Sequence, residues 1–178
     1  MNRYLTIISA ALILAAGCNK SLEGAFNKQE ENIEAIVSSL TDSQSPDTLS
    51  YQDGSVRVTL VQGEGEPLSK KGTVSFWYAA YYISGGSLNA NNLLTTNSKE
   101  IAESSGWSVS DSTILAIKSL DLSKDEIVEG LRNGIAGVKR GEECIVMFSG
   151  KYGFRKRSGS LPPNSALAYH LKIESVSN

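Results

Sequence analysis

Histidine and cysteine, the residues used most often for metal binding and for activated nucleophiles, are scarce in this sequence. His170 is the single histidine, and Cys18 and Cys144 are the only cysteines among 178 residues. A nucleophile activated by histidine needs a third group that orients the base, and no such set is evident. Structural zinc sites use four His or Cys ligands. We therefore expect no metal and no cofactor.

Cys144 and His170 are not expected to take part in catalysis. Cys144 alternates with Val146 and Phe148, which predicts a buried, unreactive thiol. His170 falls on the polar phase of a strand pattern, so we expect it to be exposed and uninvolved.

The first eighteen residues form a targeting signal. Arg3 precedes an apolar run from Leu5 to Ala16, and Gly17 and Cys18 follow it. A charged start, an apolar stretch and small residues before a cut are typical of a secretory signal, and the run is short for a membrane span. The cysteine after small residues resembles a bacterial lipobox, which implies cleavage before Cys18 and its acylation. A plain secretory signal and an uncleaved anchor are the alternatives.

Acylation at Cys18 would tether the chain to a membrane, because several acyl chains anchor a protein stably. Asn19, after the cysteine, resembles an outer-membrane sorting signal. We expect a lipid-anchored protein of the cell envelope, at a bacterial outer membrane facing the periplasm or the exterior. The chain after residue 17 has 16 basic and 19 acidic residues, a net charge of −3. This charge argues against nucleic acid as a partner.

The segment after the signal divides into three parts. Residues 18–25 are predicted to be a lipidated tether. Within 26–53, apolar residues at helical spacing predict a helix over 26–40, and a Ser-, Asp- and Pro-rich linker follows over 41–53. The apolar face of this helix could pack on its own domain or contact a second copy or partner. The apolar residues are Phe26, Ile33, Ile36, Val37 and Leu40.

From residue 54 the pattern becomes that of a sheet with one late helix. Period-two alternation predicts strands near 56–60, 73–83, 114–122, 142–149 and 167–174. Residues 127–138 have helical spacing, although glycines weaken the helix. Residues 87–112 are polar and predict a loop with a short helix near Glu100. The sum is an α+β domain with an antiparallel sheet.

Several segments resemble the FKBP family, the macrolide-binding peptidyl-prolyl isomerases. Residues 127–143, Ile-Val-Glu-Gly-Leu-Arg-Asn-Gly-Ile-Ala-Gly-Val-Lys-Arg-Gly-Glu-Glu, resemble its helix-and-turn signature. Residues 161–167, Leu-Pro-Pro-Asn-Ser-Ala-Leu, resemble the segment before its last strand, and residues 72–78 resemble the strand that ends in a pocket tyrosine. The resemblance implies an FKBP-like domain over 54–178: an antiparallel half-barrel sheet wrapped on one short helix, here preceded by an N-terminal helix.

The resemblance also implies a function, a membrane-tethered peptidyl-prolyl isomerase acting on proline-containing exported proteins or peptides. It places the aromatic residues Tyr78 and Tyr169 and the aliphatic residues Ile127 and Leu161 around a pocket, with Leu131 at the floor. Val128 would hold a substrate carbonyl through its backbone N–H. Cys18 would carry the lipid. Nothing in the sequence indicates the oligomeric state.

Two departures from the family weaken the expectation of turnover. Phe154 stands where the family has a tyrosine that donates a hydrogen bond to ligands, and Arg155 replaces the following glycine. The family's Phe-Asp pair corresponds either to Leu88-Asn89 or, with a longer loop, to Leu94-Thr95. A non-catalytic FKBP-like binding or chaperone module is therefore the alternative function. The insertion over 87–122 could fill the pocket, which would favour that alternative.

A basic run lies beside the proposed pocket. Lys151, Arg155, Lys156 and Arg157 fall in one loop. The run is either a solvated loop or a contact for an acidic client or anionic lipid.

Overall fold

The computed structural model describes residues 3–41, 48–107 and 115–178, and for residues 3–19 the backbone alone. Helix α1 spans Arg3–Thr41, and two short helices follow, α2 (Lys99–Ser104) and α3 (Glu129–Ile135). The strands are β1 (Leu49–Gln52), β2 (Ser55–Val61), β3 (Thr73–Tyr82), β4 (Leu93–Thr96), β5 (Lys118–Asp121), β6 (Glu143–Phe148) and β7 (Leu167–Ser177).

The strands form one antiparallel sheet in the order β1-β2-β6-β7-β3-β4. Strand β5 shares the outer edge of β3 with β4, pairing with Thr73–Phe76 while β4 pairs with Ala79–Tyr81. The longest ladder joins β3 to β7, with Tyr78 opposite Leu171 and Ala80 opposite Tyr169. These features confirm the predicted α+β fold, an open antiparallel sheet with a short helix and a preceding N-terminal helix.

The sheet buries both faces, which explains the almost continuous apolar run of β6. Cys144, Val146 and Phe148 point to the α3 side, and Ile145 and Met147 point to the α1 side. Each face thus has its own apolar cluster, called here the α3-side cluster and the α1-side cluster. A strand covered on both faces loses the alternation that a half-exposed strand shows.

Helix α1 packs on its own domain, which decides between the two alternatives for its apolar face. Ile33, Ile36 and Val37 are buried in the α1-side cluster, and Leu40 is partly buried there. Phe26 is only partly buried and lies outside that cluster. The predicted apolar face is therefore confirmed for the four residues other than Phe26.

Three segments differ from the prediction. Residues 18–25, predicted as a tether, continue α1, because a helix fixed by packing extends at little cost through residues without proline. The predicted linker over 41–53 contains β1, and residues 42–47 lie outside the described residues. Asp53 and Gly54 both have positive φ, so they form the two-residue turn that joins β1 to β2.

The polar insertion contains a predicted and an unpredicted element. Helix α2 begins after Ser98, whose hydroxyl accepts a hydrogen bond from the Ile101 amide, and confirms the helix near Glu100. Strand β4 was not predicted. Residues 108–114 lie outside the described residues, so the strand predicted over 114–122 is seen as β5 alone. No helix in the described part of the chain has the length and apolar character needed to cross a bilayer.

Candidate functional site

Aromatic rings from two neighbouring strands form one wall of a cavity on the α3 side of the sheet. Phe76 and Tyr78 follow each other on the same face of β3 and meet edge to face, with ring centroids 6.1 Å apart. The ring of Tyr169 on β7 lies 6.4 Å from that of Tyr78 and stacks on Phe148 at 6.0 Å. Aromatic pairs favour offset or edge-on geometry, so each ring restricts the orientation of its neighbours.

The opposite wall comes from the start of α3 and the loop before it. Ile127 and Leu131 face the rings, and Leu131 is buried at the floor. The guanidinium of Arg132 donates to the backbone carbonyls of Leu122 and Asp125, which holds the loop against the helix. Val128 precedes α3, where amides of the first turn have no acceptor inside the helix.

The cavity between these walls has a volume of about 200 Å³. Its lining is mostly aromatic and aliphatic, with two charged side chains among the lining residues. The lining residues are Phe76, Tyr78, Thr95, Lys118, Leu120, Glu126, Ile127, Leu131 and Tyr169. An apolar bowl with a few polar groups is the usual form of a small-ligand site.

Burial shapes the ionisation of the Tyr169 phenol. Loss of solvent, with a smaller effect from Tyr78, raises the pKa of Tyr169 to about 12. The hydroxyl of Tyr78 lies 3.5 Å from Thr95 Oγ1. Tyr169 therefore stays neutral at physiological pH.

Asn97 lies beside β3, between the part of that strand that pairs with β5 and the part that pairs with β4. Its side chain is buried, with Oδ1 accepting from the Tyr78 amide at 2.6 Å. Nδ2 donates to the carbonyls of Phe76 at 3.2 Å and Ala116 at 3.0 Å. The Thr96 hydroxyl donates to the Tyr78 carbonyl at 2.6 Å. Side chains thus replace the missing ladder and fix the backbone of the pocket tyrosine.

The structure brings together most of the residues predicted for the site. Tyr78, Ile127, Leu131 and Tyr169 line the cavity. Val128 and Leu161 belong to the same α3-side cluster without lining it.

Phe154 is placed elsewhere. Its side chain is exposed and is absent from the cavity lining and from the apolar clusters.

The structure distinguishes the two alternatives for the Phe-Asp position. Leu94 packs against the α3-side cluster and Thr95 lines the cavity, whereas Leu88 packs against the α1-side cluster. Leu94-Thr95 therefore occupies the site, with a leucine and a hydroxyl in place of an aromatic ring and a carboxylate. The described part of the insertion contributes this wall and leaves the cavity open.

Four lining residues were not predicted from the sequence, namely Phe76, Lys118, Leu120 and Glu126. Phe76 and Leu120 could have been found from strand alternation, because Phe76 shares its face with Tyr78. Thr95 was named only as one of two alternatives. Lys118 and Glu126 have no signal in the sequence that separates them from other surface charges.

The remaining titratable candidates stay outside the cavity. Cys144 is fully buried, and burial raises the pKa of its thiol, as expected of an unreactive cysteine. His170 is half-buried with Nε2 2.8 Å from Glu143 Oε1, so the expectation of an exposed bystander was wrong. Register causes this contact, because His170 faces Ile145, two residues from Glu143 on β6. No group of three or more metal-binding side chains occurs in the described residues.

Comparison with known proteins supports the resemblance to the FKBP family. Residues 108–174 match the model of the FKBP-type peptidyl-prolyl cis-trans isomerase family. No curated protein sequence matches the chain.

Solved structures share the fold at low sequence identity. FkpA from Escherichia coli is 15% identical, with a TM-score of 0.55 over 98% of this chain and 71% of its own. A peptidyl-prolyl cis-trans isomerase from Pseudomonas syringae is 14% identical, with a TM-score of 0.54 over 84% of this chain and 96% of its own. The N-terminal domain of FKBP42 from Arabidopsis thaliana is 18% identical, with a TM-score of 0.52 over 72% of this chain and 94% of its own. The family model matches residues 108–174, and the solved structures show that the chain has an FKBP-like fold.

Proposed function

We propose that this chain catalyses cis–trans isomerisation of peptide bonds before proline in exported proteins. The observation that carries the proposal is the open apolar cavity between Tyr78, Tyr169, Ile127 and Leu131. Its size suits a single proline ring and the bonds beside it.

The chemistry requires no proton transfer and no nucleophile. Resonance across the planar amide produces a barrier of about 18–20 kcal/mol, and the amide becomes less polar as it twists. A dry apolar cavity disfavours the planar ground state more than the twisted transition state, which lowers the barrier. The neutral Tyr169 phenol adds no charge to the wall. The Val128 amide, directly before α3, can donate a hydrogen bond to a substrate carbonyl.

Activity can be measured as accelerated isomerisation of a short Xaa-Pro peptide by residues 19–178. Tyr78→Ala opens the aromatic wall and should reduce kcat/KM at least about tenfold. Tyr51→Ala is the matched control, because Tyr51 is 60% exposed on β1 and contacts only the Glu34 carboxylate through its hydroxyl. Equal rates for the two variants would reject the cavity as the active site.

A non-catalytic binding or chaperone module is the second candidate function. Phe154 is exposed and supplies no hydroxyl to the cavity, and Thr95 stands where the family pattern has a carboxylate. These features favour binding of proline-containing segments with slow turnover. Peptide binding that saturates at the cavity without rate acceleration would favour this candidate.

Membrane tethering at Cys18 is a separate part of the proposal, and it rests on the signal pattern of residues 1–18. Metabolic labelling with an alkyne fatty acid should label the full chain in bacteria and should not label Cys18→Ala. Cys144→Ala is the control, because the buried Cys144 should not accept lipid. Labelling that survives Cys18→Ala would overturn the proposed anchor and leave the isomerase assay unaffected.

A further inference from the structure

The loop that contains Phe154 carries a basic surface without ion pairs to the described residues. We call residues 151–163 the basic loop. The side chains of Lys151, Arg155, Lys156 and Arg157 are exposed. None of them forms an ion pair within the described part of the chain. This concentration of positive charge is local, because the chain as a whole is acidic.

An aromatic side chain stands at the head of this basic surface. Phe154 is 37% exposed, directly before three consecutive basic residues. An exposed aromatic beside Lys and Arg is suited to the boundary between lipid headgroups and acyl chains, where an apolar ring and basic groups are both stabilised. A soluble acidic partner offers the charges without the apolar layer.

The basic loop is held in shape at both ends. The Asn164 amide donates to the Phe154 carbonyl at 2.8 Å, and Ser158 and Leu161 exchange two backbone hydrogen bonds. Leu161 is buried, which anchors the far side of the loop in the α3-side cluster. An ordered loop loses less conformational entropy on binding than a disordered one does.

Helix α1 holds the basic loop at a fixed place relative to Cys18. Gln29 Oε1 accepts from the Gly150 amide at 2.7 Å, and Gln29 Nε2 donates to the Asn164 carbonyl at 2.8 Å. Both ends of the loop are thereby bound to one residue of α1. Gln29 follows Cys18 by eleven residues, which is about 16 Å of helix.

We propose that the basic loop binds the anionic phospholipid surface of the membrane, with Phe154 at the headgroup boundary. The role of α1 in placing the loop near the membrane rests on the proposed anchor at Cys18. Each Lys or Arg near an anionic bilayer strengthens binding about fivefold. The contact would hold the domain in one orientation on the membrane, a function separate from catalysis in the cavity.

Hydrogen–deuterium exchange of the full chain in vesicles tests this proposal. The chain is reconstituted in phosphatidylcholine alone and in phosphatidylcholine mixed with phosphatidylglycerol. We expect uptake in peptides covering residues 150–163 to fall at least about twofold in the anionic vesicles. About 0.5 M NaCl should reverse the protection, because it shortens the screening length well below 10 Å. Equal uptake in the two vesicles would overturn the proposal.

Matched variants separate specific binding from general attraction to the vesicle. Arg155→Gln combined with Lys156→Gln and Arg157→Gln should abolish the protection, whereas Lys70→Gln combined with Lys71→Gln, in another exposed turn, should retain it. Exchange in β7 checks that each variant is folded.

Two further outcomes decide the identity of the partner and its independence from catalysis. Soluble polyglutamate that protects the loop more strongly than the anionic vesicles would overturn the lipid assignment in favour of an acidic polypeptide. Isomerisation of a free peptide is measured without vesicles, so its failure would be distinguishable from failure of lipid binding.

Discussion

Tyr169 shows how a single residue can serve both the core and the site. Its ring stacks on buried Phe148 and lies beside Tyr78 in the aromatic wall, and burial raises its pKa to about 12. Core packing and pocket lining are the same set of contacts here. The sequence could place Tyr169 on the inner face of its strand, but not the neighbours that desolvate the phenol.

We predict that Tyr169 gives folding a pH dependence in the alkaline range. Its phenol would lose the proton near pH 10 when unfolded and near pH 12 when folded, so the unfolded state gains stability across this interval. The free energy of unfolding should fall by about 2 kcal/mol from below pH 10 to pH 12. Urea unfolding over this range should show the decrease in the wild-type chain and a smaller one in Tyr169→Phe. Identical pH profiles would contradict the assignment.

Residues on regular strands and at the start of α3 were predictable, and residues on loops were not. Tyr78 and Tyr169 follow from alternation combined with the family resemblance. Phe154 was misplaced because a matching loop position does not fix the direction of its side chain. His170 was misjudged because register determines its contact with Glu143, and register depends on the partner strand.

At the scale of elements, the glycines of α3 are required by close packing. A Cβ at Gly130 would overlap the ring of Phe148, and one at Gly134 would overlap the side chain of Val146. The helix therefore lies closer to β6 than any other residue would allow. The glycines that weaken the helical pattern in the sequence are the ones that let α3 form the floor of the cavity.

Replacement of these glycines should be harmful despite a better helix propensity. Gly134→Ala should destabilise the fold by about 1–3 kcal/mol, because Val146 is fully buried and cannot move aside. Gly24→Ala is the matched control in exposed α1, where no atom lies within 4 Å of the added Cβ, and it should stabilise slightly. Thermal unfolding compares them. An equal effect of both substitutions would contradict the packing argument.

Asn97 is a positioning residue between two strands. Asn97→Ala removes three hydrogen bonds to backbone groups and should cost about 2–3 kcal/mol of stability. It should also lower kcat/KM, because Tyr78 loses its backbone support. Asn133→Ala, which removes one exposed hydrogen bond to the Asp53 carbonyl, should have little effect on either. Urea unfolding and the isomerase assay measure both, and an unchanged kcat/KM for Asn97→Ala would contradict the positioning role.

The missed elements have identifiable causes. The Asp53-Gly54 turn between two short alternating segments signals a hairpin, yet the Ser- and Pro-rich stretch before it favoured a linker. Strand β4 is short and polar, so only its pairing with β3 defines it. Sequence patterns indicate strands through their buried face, and edge strands with little buried surface give a weak pattern.

At the scale of the whole molecule, α1 is part of the folded domain. It covers the face of the sheet opposite the cavity and binds the basic loop through Gln29. The same helix thereby contacts both the sheet and the basic loop. The helix pattern alone favoured packing on the same domain but left a contact with another molecule as an alternative.

Removing the buried contacts of α1 should destabilise the entire domain. Ile36→Ala should lower the free energy of unfolding by about 2–5 kcal/mol, because Ile36 is 2% exposed in the α1-side cluster. Leu22→Ala is the matched control, since Leu22 lies in the same helix and is 40% exposed. Urea unfolding monitored by tryptophan fluorescence should show one transition, shifted only by the first variant. An unshifted transition in Ile36→Ala would indicate that α1 is not part of the cooperative unit.

The central claim is that the cavity catalyses rotation about the bond before proline. Exchange NMR of an Xaa-Pro peptide measures this rotation directly, with residues 19–178 added in catalytic amounts. We predict faster cis–trans exchange with the wild-type chain, abolished by Ile127→Trp, whose larger side chain would fill the cavity beside Tyr78. An exchange rate equal to that of the free peptide, with the domain folded, would contradict the account and leave a binding module on an isomerase fold.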